Sequence, residues 1–417
     1  MINKICPQAE HKLLRKKPSA LSFGMFDSID HVKEETWNAL AGDEFFMRTD
    51  YLRVLEKHPP SNMKFRYAMM HRGNKPVGVC CFQVIEFTGE SFGSLTDPEG
   101  REKDGVKKAL KDFLKRKAEK IRIRLLIAGN AFSSGQHGFV FSEEIEAKEA
   151  FRALADVIYR VSRADKLFGK VSAVLVKDFD PGMEKFSKEL KHFKYYDFRV
   201  EPAMILDLDP AWKNFEDYLG AMSSKYRKRA KTIMKNGSAL KIRSLSASEI
   251  QKNGERIMQL FDAVHLKAKF RLASLTIGYF AELKRVFGDD FMLHAYFLGD
   301  TMVGFRTTIV TPHSTDAHFV GLDYSVNRDH DVYQNMLYDY VKETFDRGRR
   351  TLFLGRTASE IKSTIGAKPL ELYCYARHRN PLHNRFIKPF ISSVKPSEWI
   401  QRNPFKEEKV AEAAFVS

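Results

Sequence analysis

Two short stretches, far apart in the chain, open in the same way. Lys75-Pro76-Val77-Gly78-Val79 follows a turn at Gly73-Asn74, and Thr301-Met302-Val303-Gly304-Phe305 follows a turn at Gly299-Asp300. In each case an apolar run precedes the turn (65–70, 291–297) and another follows it (77–87, 302–310), which is the pattern of a β-hairpin. The order of elements then repeats. After the first hairpin come a strand pattern at 121–128, a helical pattern over 147–164 with Phe151, Leu154, Ile158 and Val161 on one side, and an apolar run at 171–176. After the second come a strand pattern at 316–322 and a helix with Tyr333, Met336, Leu337, Tyr340, Val341 and Phe345 on one face, stopped by Gly348. Strand patterns at 352–354 and 370–375 follow. A shared motif within a shared order of elements points to duplication. The expected fold class is therefore α/β with mixed sheets, in two tandem units.

A chain of 417 residues has room for two such units. The expected division is 1–205 and 206–404, with a flexible tail at 405–417 and a further strand at 203–208. No Gly/Ser- or Pro-rich linker marks the boundary, so the halves are expected to pack tightly. Hydrophobic residues make up 43% of the chain, enough for packed cores. The four cysteines, Cys6, Cys80, Cys81 and Cys374, have neither disulfide-framework nor zinc-site spacing. No apolar signal segment and no spanning run is visible, so a cytoplasmic location and no metal are expected. The net charge of +16 favours polyanionic partners such as nucleic acid, anionic lipid or phosphorylated metabolites. A generally basic enzyme would carry the same charge.

No P-loop, HExxH, dinucleotide fingerprint or Ser/His/Asp order is present. The candidate chemistry lies elsewhere. The crossing 355–369 is polar and punctuated by Gly355 and Gly366, and it carries Arg356 and Lys362. Two fixed cations there suit a carboxylate, a phosphate or a developing oxyanion; a solvated loop would read the same way. Asp323 and Tyr324 follow the strand pattern 316–322, at the edge where open α/β sheets place ligands. Asp323 fits a general base or an amine anchor, and equally a turn cap. The segment around 222–236 places Met222, Tyr226, Ala230 and Ile233 on one stripe and Lys225, Lys228, Arg229 and Lys235 on another. Acidic residues are absent from 223–237, so this stripe could follow a phosphate backbone or simply face water. His318 sits inside an apolar strand and reads as a core histidine. Residues 130–138 read as a flexible turn.

These pieces resemble the GNAT acyltransferases, and two units in one chain resemble the FemABX peptidyl-transferase branch and its BioF2-like relatives. The similarity rests on the basic entry Tyr218-Leu219-Gly220-Ala221-Met222-Ser223-Ser224-Lys225-Tyr226-Arg227-Lys228-Arg229, on Met302-Val303-Gly304-Phe305, and on Gly348-Arg349-Arg350-Thr351-Leu352-Phe353-Leu354-Gly355-Arg356 with Lys362 and Gly366 behind it. The resemblance implies transfer of an acyl or aminoacyl group to an amine. Lys362 and Asp323 would be catalytic; Arg356, Tyr324, Lys225, Lys228 and Arg229 would bind substrate. The donor would be acyl-CoA or aminoacyl-tRNA. At one place the chain departs from the acetyl-CoA users: the glycine-rich loop before the helix reads Asn327-Arg328-Asp329-His330-Asp331. Glycines there let main-chain amides approach a diphosphate, and aspartates oppose it. Two other readings remain: an RNA-binding module that lacks catalysis, and a peripheral membrane enzyme touching lipid through Phe386, Ile387, Phe390 and Ile391 with Arg385, Lys388 and Lys395. The acceptor is expected to be a small-molecule or peptide-like amine, and an anionic one given Lys362, Arg356 and the basic segment at 225–229.

Overall fold

The computed structural model describes residues 20–88, 122–179, 181–183, 187–265, 273–385, 387 and 398–406. Its strands are β1 (Ser22–Phe26), β2 (Met63–Arg72), β3 (Lys75–Thr88), β4 (Arg122–Ala128), β5 (Phe139–Phe141), β6 (Ala173–Phe179), β7 (Tyr196–Arg199), β8 (Ala203–Asp207), β9 (Leu240–Ser244), β10 (Phe291–Leu298), β11 (Thr301–Val310), β12 (Ser314–Leu322), β13 (Thr351–Gly355), β14 (Lys368–Leu370) and β15 (Tyr373–His378). They form two mixed sheets. The first runs β1-β2-β3-β4-β6-β15-β7, with β5 also on β3, and the second runs β9-β10-β11-β12-β13-β8-β14.

The two orders are the same order, with one exchange. In the first sheet the strand between β6 and β7 is β15, from near the end of the chain. In the second, the strand between β13 and β14 is β8, which follows β7 in sequence. Each unit thus holds a strand supplied by the other's stretch of chain. The expected strand 370–375 is split by this exchange: Lys368–Leu370 ends the second sheet and Tyr373–His378 enters the first.

The helices that matter for the site are α1 (Thr49–Lys57), α2 (Ala147–Ala164), α3 (Phe215–Ala221), α4 (Ser224–Asn236), α5 (Gly254–His265), α6 (Ile277–Phe287), α7 (Tyr324–His330), α8 (Val332–Asp346) and α9 (Ser359–Ser363). Their apolar faces were legible from spacing. In α2, Phe151, Leu154, Ile158 and Val161 are all buried, each contributing roughly 1.5–3 kcal/mol. One core joins the units: Phe45, Phe46 and Tyr51 of the first pack with Phe261, Tyr279 and Phe280 of the second. Helix α1 lies on α6, where Lys57 pairs with Glu282 at 2.7 Å.

The chain from 399 to 406 docks on the second unit. Trp399 and Phe405 pack on its core, Phe405 bridges to Met222, and the Lys406 amide donates to the Ala221 carbonyl at 3.2 Å. The expected tail therefore does not begin at 405, because an aromatic anchor holds that point. Residues 407–417 lie outside the described residues, as does the proposed lipid-touching segment apart from Arg385 and Ile387.

Candidate functional site

The Val-Gly match places the two units in register. Gly78 pairs with Phe141, and Gly304 pairs with Leu322. Four residues further along β3 and β11, Phe82 lies opposite Ala128 and Thr308 opposite Ala317. Between those pairs the neighbouring strand is interrupted in both units, opposite Cys81 in one and Thr307 in the other. In the second unit the interruption is a β-bulge at His318 and Phe319, held by Thr307, whose hydroxyl accepts from the Phe319 amide at 2.8 Å. A bulge increases local twist and re-aims side chains. In the first unit the same place holds the excursion 129–138, pinched where Gly138 meets Gly129. A Cβ on Gly138 would come 2.6 Å from the Gly129 nitrogen.

Beyond the interruption the parallel strands part. β4 and β6 pair only as far as Ala128 and Val176, and β12 and β13 only as far as Asp316 and Phe353. The second opening is the candidate site. β12 is an interior strand of its sheet, yet Asp316, Ala317, His318, Phe319 and Val320 are only half-buried, as expected for residues that line a cleft. Asp316 accepts a hydrogen bond from the Ser314 hydroxyl at 2.5 Å, and burial pushes its carboxyl up to about 6. His318 Nε2 lies 2.8 Å from the Tyr279 hydroxyl of α6, and burial pulls its imidazole down to about 3.

The first unit closes the other side. Its excursion 129–138 is packed rather than free, contrary to the flexible turn expected from its composition. Lys177 Nζ donates to the Asn130 carbonyl at 2.7 Å and the Ser133 carbonyl at 2.6 Å. The Ala131 amide donates to Gln83 Oε1 at 2.8 Å, and the Gly135 amide to Asp178 Oδ2 at 3.1 Å. His137 packs against Phe46 with the rings tilted and reaches the Ser134 carbonyl at 3.0 Å.

Of the residues singled out from sequence, the structure joins Arg356 and Lys362 and gives both work inside the protein. Arg356 pairs with the fully buried Asp178 through both carboxylate oxygens and donates to the Glu201 carbonyl at 2.9 Å. Lys362 is 5% exposed. Its ammonium donates to the carbonyls of Leu354 at 2.8 Å, Gly355 at 3.3 Å and Arg356 at 2.7 Å. An ammonium has three donors, and all three are used. Lys362 fastens a loop in which Gly355, Thr357 and Ala358 all have positive φ, a conformation costly for the two non-glycine residues. That geometry corrects the oxyanion role expected for it. Asp323 caps α7: Oδ1 accepts from the Ser325 amide at 3.1 Å, and Oδ2 accepts from Arg256 at 2.7 Å. These donors hold its carboxyl below the ordinary range, which suits a cap and not a base. Tyr324 is exposed at the start of α7. Lys225, Lys228 and Arg229 are exposed on α4, in the layer of α8, where Arg229 reaches Gln334 at 3.2 Å.

Sequence reasoning missed Asp316, took His318 as core, and did not single out Tyr51, Tyr279, Asn130 or Asp178. The available signal was two titratable residues spaced i, i+2 in an otherwise apolar strand. A separate cavity of about 510 Å³ lies against β10, β11 and α8, lined among others by His294, Arg306, Asp339 and Glu343. Arg306 is spent on Glu343, and Asp339 accepts from Tyr296 at 2.6 Å. None of the residues that line it belongs to β12 or β13. Among the described residues no cluster of His, Cys, Asp and Glu could hold a metal, and no helix is long and apolar enough to cross a membrane.

No family model and no curated protein matches the sequence. Solved structures do. FemX superposes over 88% of this chain and 100% of its own, with 12% identity and a TM-score of 0.53. A tandem GNAT protein from the clavulanic acid biosynthesis pathway superposes over 87% of this chain and 99% of its own, with 10% identity and a TM-score of 0.51. At such identities the likeness concerns the fold, and it agrees with the repeated strand order and with the parting of β12 from β13. The chain has a FemX-like tandem GNAT fold.

Proposed function

We propose that this chain is an N-acyltransferase whose reaction centre is the opening between β12 and β13, with Asp316 as the general base. The supporting observation is the place of Asp316. It is the last residue paired across the parting strands, half-open to the cleft, and its carboxyl is lifted to about 6. A base is most effective with a pKa near the working pH. An amine held there attacks the donor's acyl carbon. The N–C bond forms, the amine proton passes to Asp316, and the bond from the acyl carbon to the donor's leaving atom breaks, that atom keeping the bonding pair and taking up the proton. Beyond Asp316, β12 has no ladder to β13, so main-chain groups on that edge face the opening and can meet developing negative charge.

The donor is better read as aminoacyl-tRNA than as acyl-CoA. Both helices after β12 begin with carboxylates, Asp323 before α7 and Asp331 before α8, where a diphosphate would need a free positive helix end. Beside them lies α4, with Lys225, Lys228, Arg229, Lys231 and Lys235 exposed, tied to the start of α8 by Asn236 donating to Asp331 at 2.8 Å. A polyanion on α4 would reach the cleft edge. An anionic acceptor was expected because of Arg356, Lys362 and the basic helix; the first two are engaged inside the fold, and the exposed α4 is assigned here to the donor. The acceptor is then a small-molecule or peptide-like amine.

A thermal-shift comparison with acetyl-CoA, CoA, charged tRNA and uncharged tRNA tests this reading. Stabilisation by tRNA, greater when charged, is expected through ligand linkage; stabilisation by CoA species alone would overturn the donor assignment. The exposed basic helix also supports the second reading, RNA binding without catalysis. Tight tRNA binding with no transfer to any amine in a panel would favour it.

A further inference from the structure

A hydrogen-bonded chain crosses from the first unit into the cleft of the second, and its direction can be worked out. Asn130 Oδ1 accepts from the Phe132 amide at 2.9 Å. A main-chain amide can only donate, so this bond fixes which end of the Asn130 side chain is oxygen. Its Nδ2 therefore faces Tyr51 and donates to that hydroxyl at 2.9 Å. Tyr51 is fully buried, and among the described residues its hydroxyl has two partners, Asn130 and the Tyr279 hydroxyl at 3.2 Å. Asn130 Nδ2 cannot accept, so the Tyr51 proton must point at Tyr279. The Tyr279 proton is thereby turned to its remaining partner, His318 Nε2, at 2.8 Å. The opposite direction would leave the Tyr51 proton buried with no acceptor, a costly arrangement.

We infer that His318 is held as the neutral Nδ1–H tautomer by Tyr279, Tyr51 and Asn130, and that it serves as a hydrogen-bond donor to the reacting acyl oxygen. The second clause rests on the reaction centre proposed above; the first stands on geometry alone. Nε2 accepts from Tyr279, so a neutral ring must carry its proton on Nδ1. No protein acceptor for Nδ1 is found among the described residues, and His318 is half-buried on the bulge two residues beyond Asp316. A neutral donor already aimed at the place where charge develops lowers the barrier without reorganisation. Burial opposes protonation of the ring, which agrees with this role. His318 would be catalytic, and Tyr279, Tyr51 and Asn130 would be positioning residues. The first unit, on this view, sets the tautomer of a group in the second unit's cleft.

The test has two arms. Nitrogen NMR of the full chain with ¹⁵N-labelled histidine, assigned by loss of the signal in His318→Asn, reads the tautomer at neutral pH. The expected result is Nδ1–H in wild type and a mixed population in Tyr279→Phe. An Nε2–H ring or an imidazolium in wild type would overturn the inference, whatever the enzyme does. The second arm measures transfer to amine. His318→Leu is expected to lose on the order of 10²–10³ in rate. His318→Asn, whose amide nitrogen can stand where Nδ1 stood, is expected to recover much of that loss, and His318→Gln to recover little. Full activity in His318→Leu would overturn the donor role alone. No transfer by wild type to any acceptor would remove the reaction reading and leave the tautomer result to decide the rest.

Discussion

The Arg356 guanidinium grips the Asp178 carboxylate through both oxygens, and the two residues hold corresponding places in the two units. Leu126 pairs with Val174 as Thr315 pairs with Leu352, and four residues on from those partners stand Asp178 and Arg356. Each strand ends its parallel pairing and turns away, and there one unit puts an anion and the other a cation. The pair is buried, with Asp178 fully enclosed and at positive φ. Its cost is offset by bonds from Lys177 at 2.8 Å, the Gly135 amide and the Cys374 thiol.

Breaking one side of that pair leaves an uncompensated buried charge. Asp178→Asn is expected to destabilise the chain by about 3–5 kcal/mol, read as a lower urea midpoint. Lys177 and Arg356 hold the Asp178 carboxyl far below the usual carboxylate range against the opposing effect of burial. A depressed acid contributes stability above its unfolded pKa and loses it as pH falls through the folded value. Wild type should therefore weaken below about pH 4, and Asp178→Asn should flatten that part of the profile. An unchanged profile would show that the pair does not contribute.

Lys362→Met should lower stability together with activity. It removes the donors for three main-chain carbonyls and releases a loop with two strained residues, at a cost of about 2 kcal/mol or more. Burial pulls the ammonium down to about 7. A lysine with a depressed folded pKa destabilises most at low pH and is relieved as pH rises above that value. The deficit of the variant should therefore widen from pH 7 to pH 9 in thermal melts. A variant as stable as wild type but inactive would return Lys362 to the chemistry.

Asp316→Asn should separate function from stability. The raised folded pKa means that wild type loses stability as pH climbs from about 4 to about 6. A neutral amide of the same shape avoids that loss and should gain about 1–2 kcal/mol at pH 7. Transfer should fall by roughly 10²–10⁴-fold if Asp316 is the base. Wild-type rates in this variant would place the base elsewhere.

Charge reversal on α4 gives a different signature. Lys225→Glu, Lys228→Glu and Arg229→Glu together should weaken tRNA binding and flatten its salt dependence, by about 0.7–0.9 in the logarithmic slope per lost phosphate contact. Filter binding across a salt series measures both. The fold should be unaffected, because these side chains are exposed. Equal affinity and slope would remove α4 from the donor site.

Much of the local structure could be read from periodicity. The helix expected at 147–164 is found with those limits, and both hairpins are present. These elements are set by neighbours in sequence. The identity of a strand's partner is not, and so the run 370–375 looked like one strand when it serves two sheets. The site was harder for a related reason. Arg356 and Lys362 were visible as cations, but the carboxylate that takes Arg356 comes from Asp178, 178 residues away, and the carbonyls of Leu354, Gly355 and Arg356 converge on Lys362 only in the folded loop. The glycines and serines of 130–138 looked like slack because composition does not show that Lys177 and Gln83 bind their main chain. His318 was recognised as enclosed; what encloses it, Tyr279 and through it Tyr51, comes from both units.

The reciprocal placement of β8 and β15 bears on how such a chain can be divided and how it came to be. A cut just after β8, past residue 207, would leave each sheet without an interior strand, so neither fragment should fold alone, while the two expressed together should reassemble. Seen from one unit, a sheet completed by another copy's strand is the geometry of a domain-swapped dimer. This protein has the form of such a dimer with its two subunits threaded onto one polypeptide, which fixes their partnership at synthesis and leaves each free to diverge.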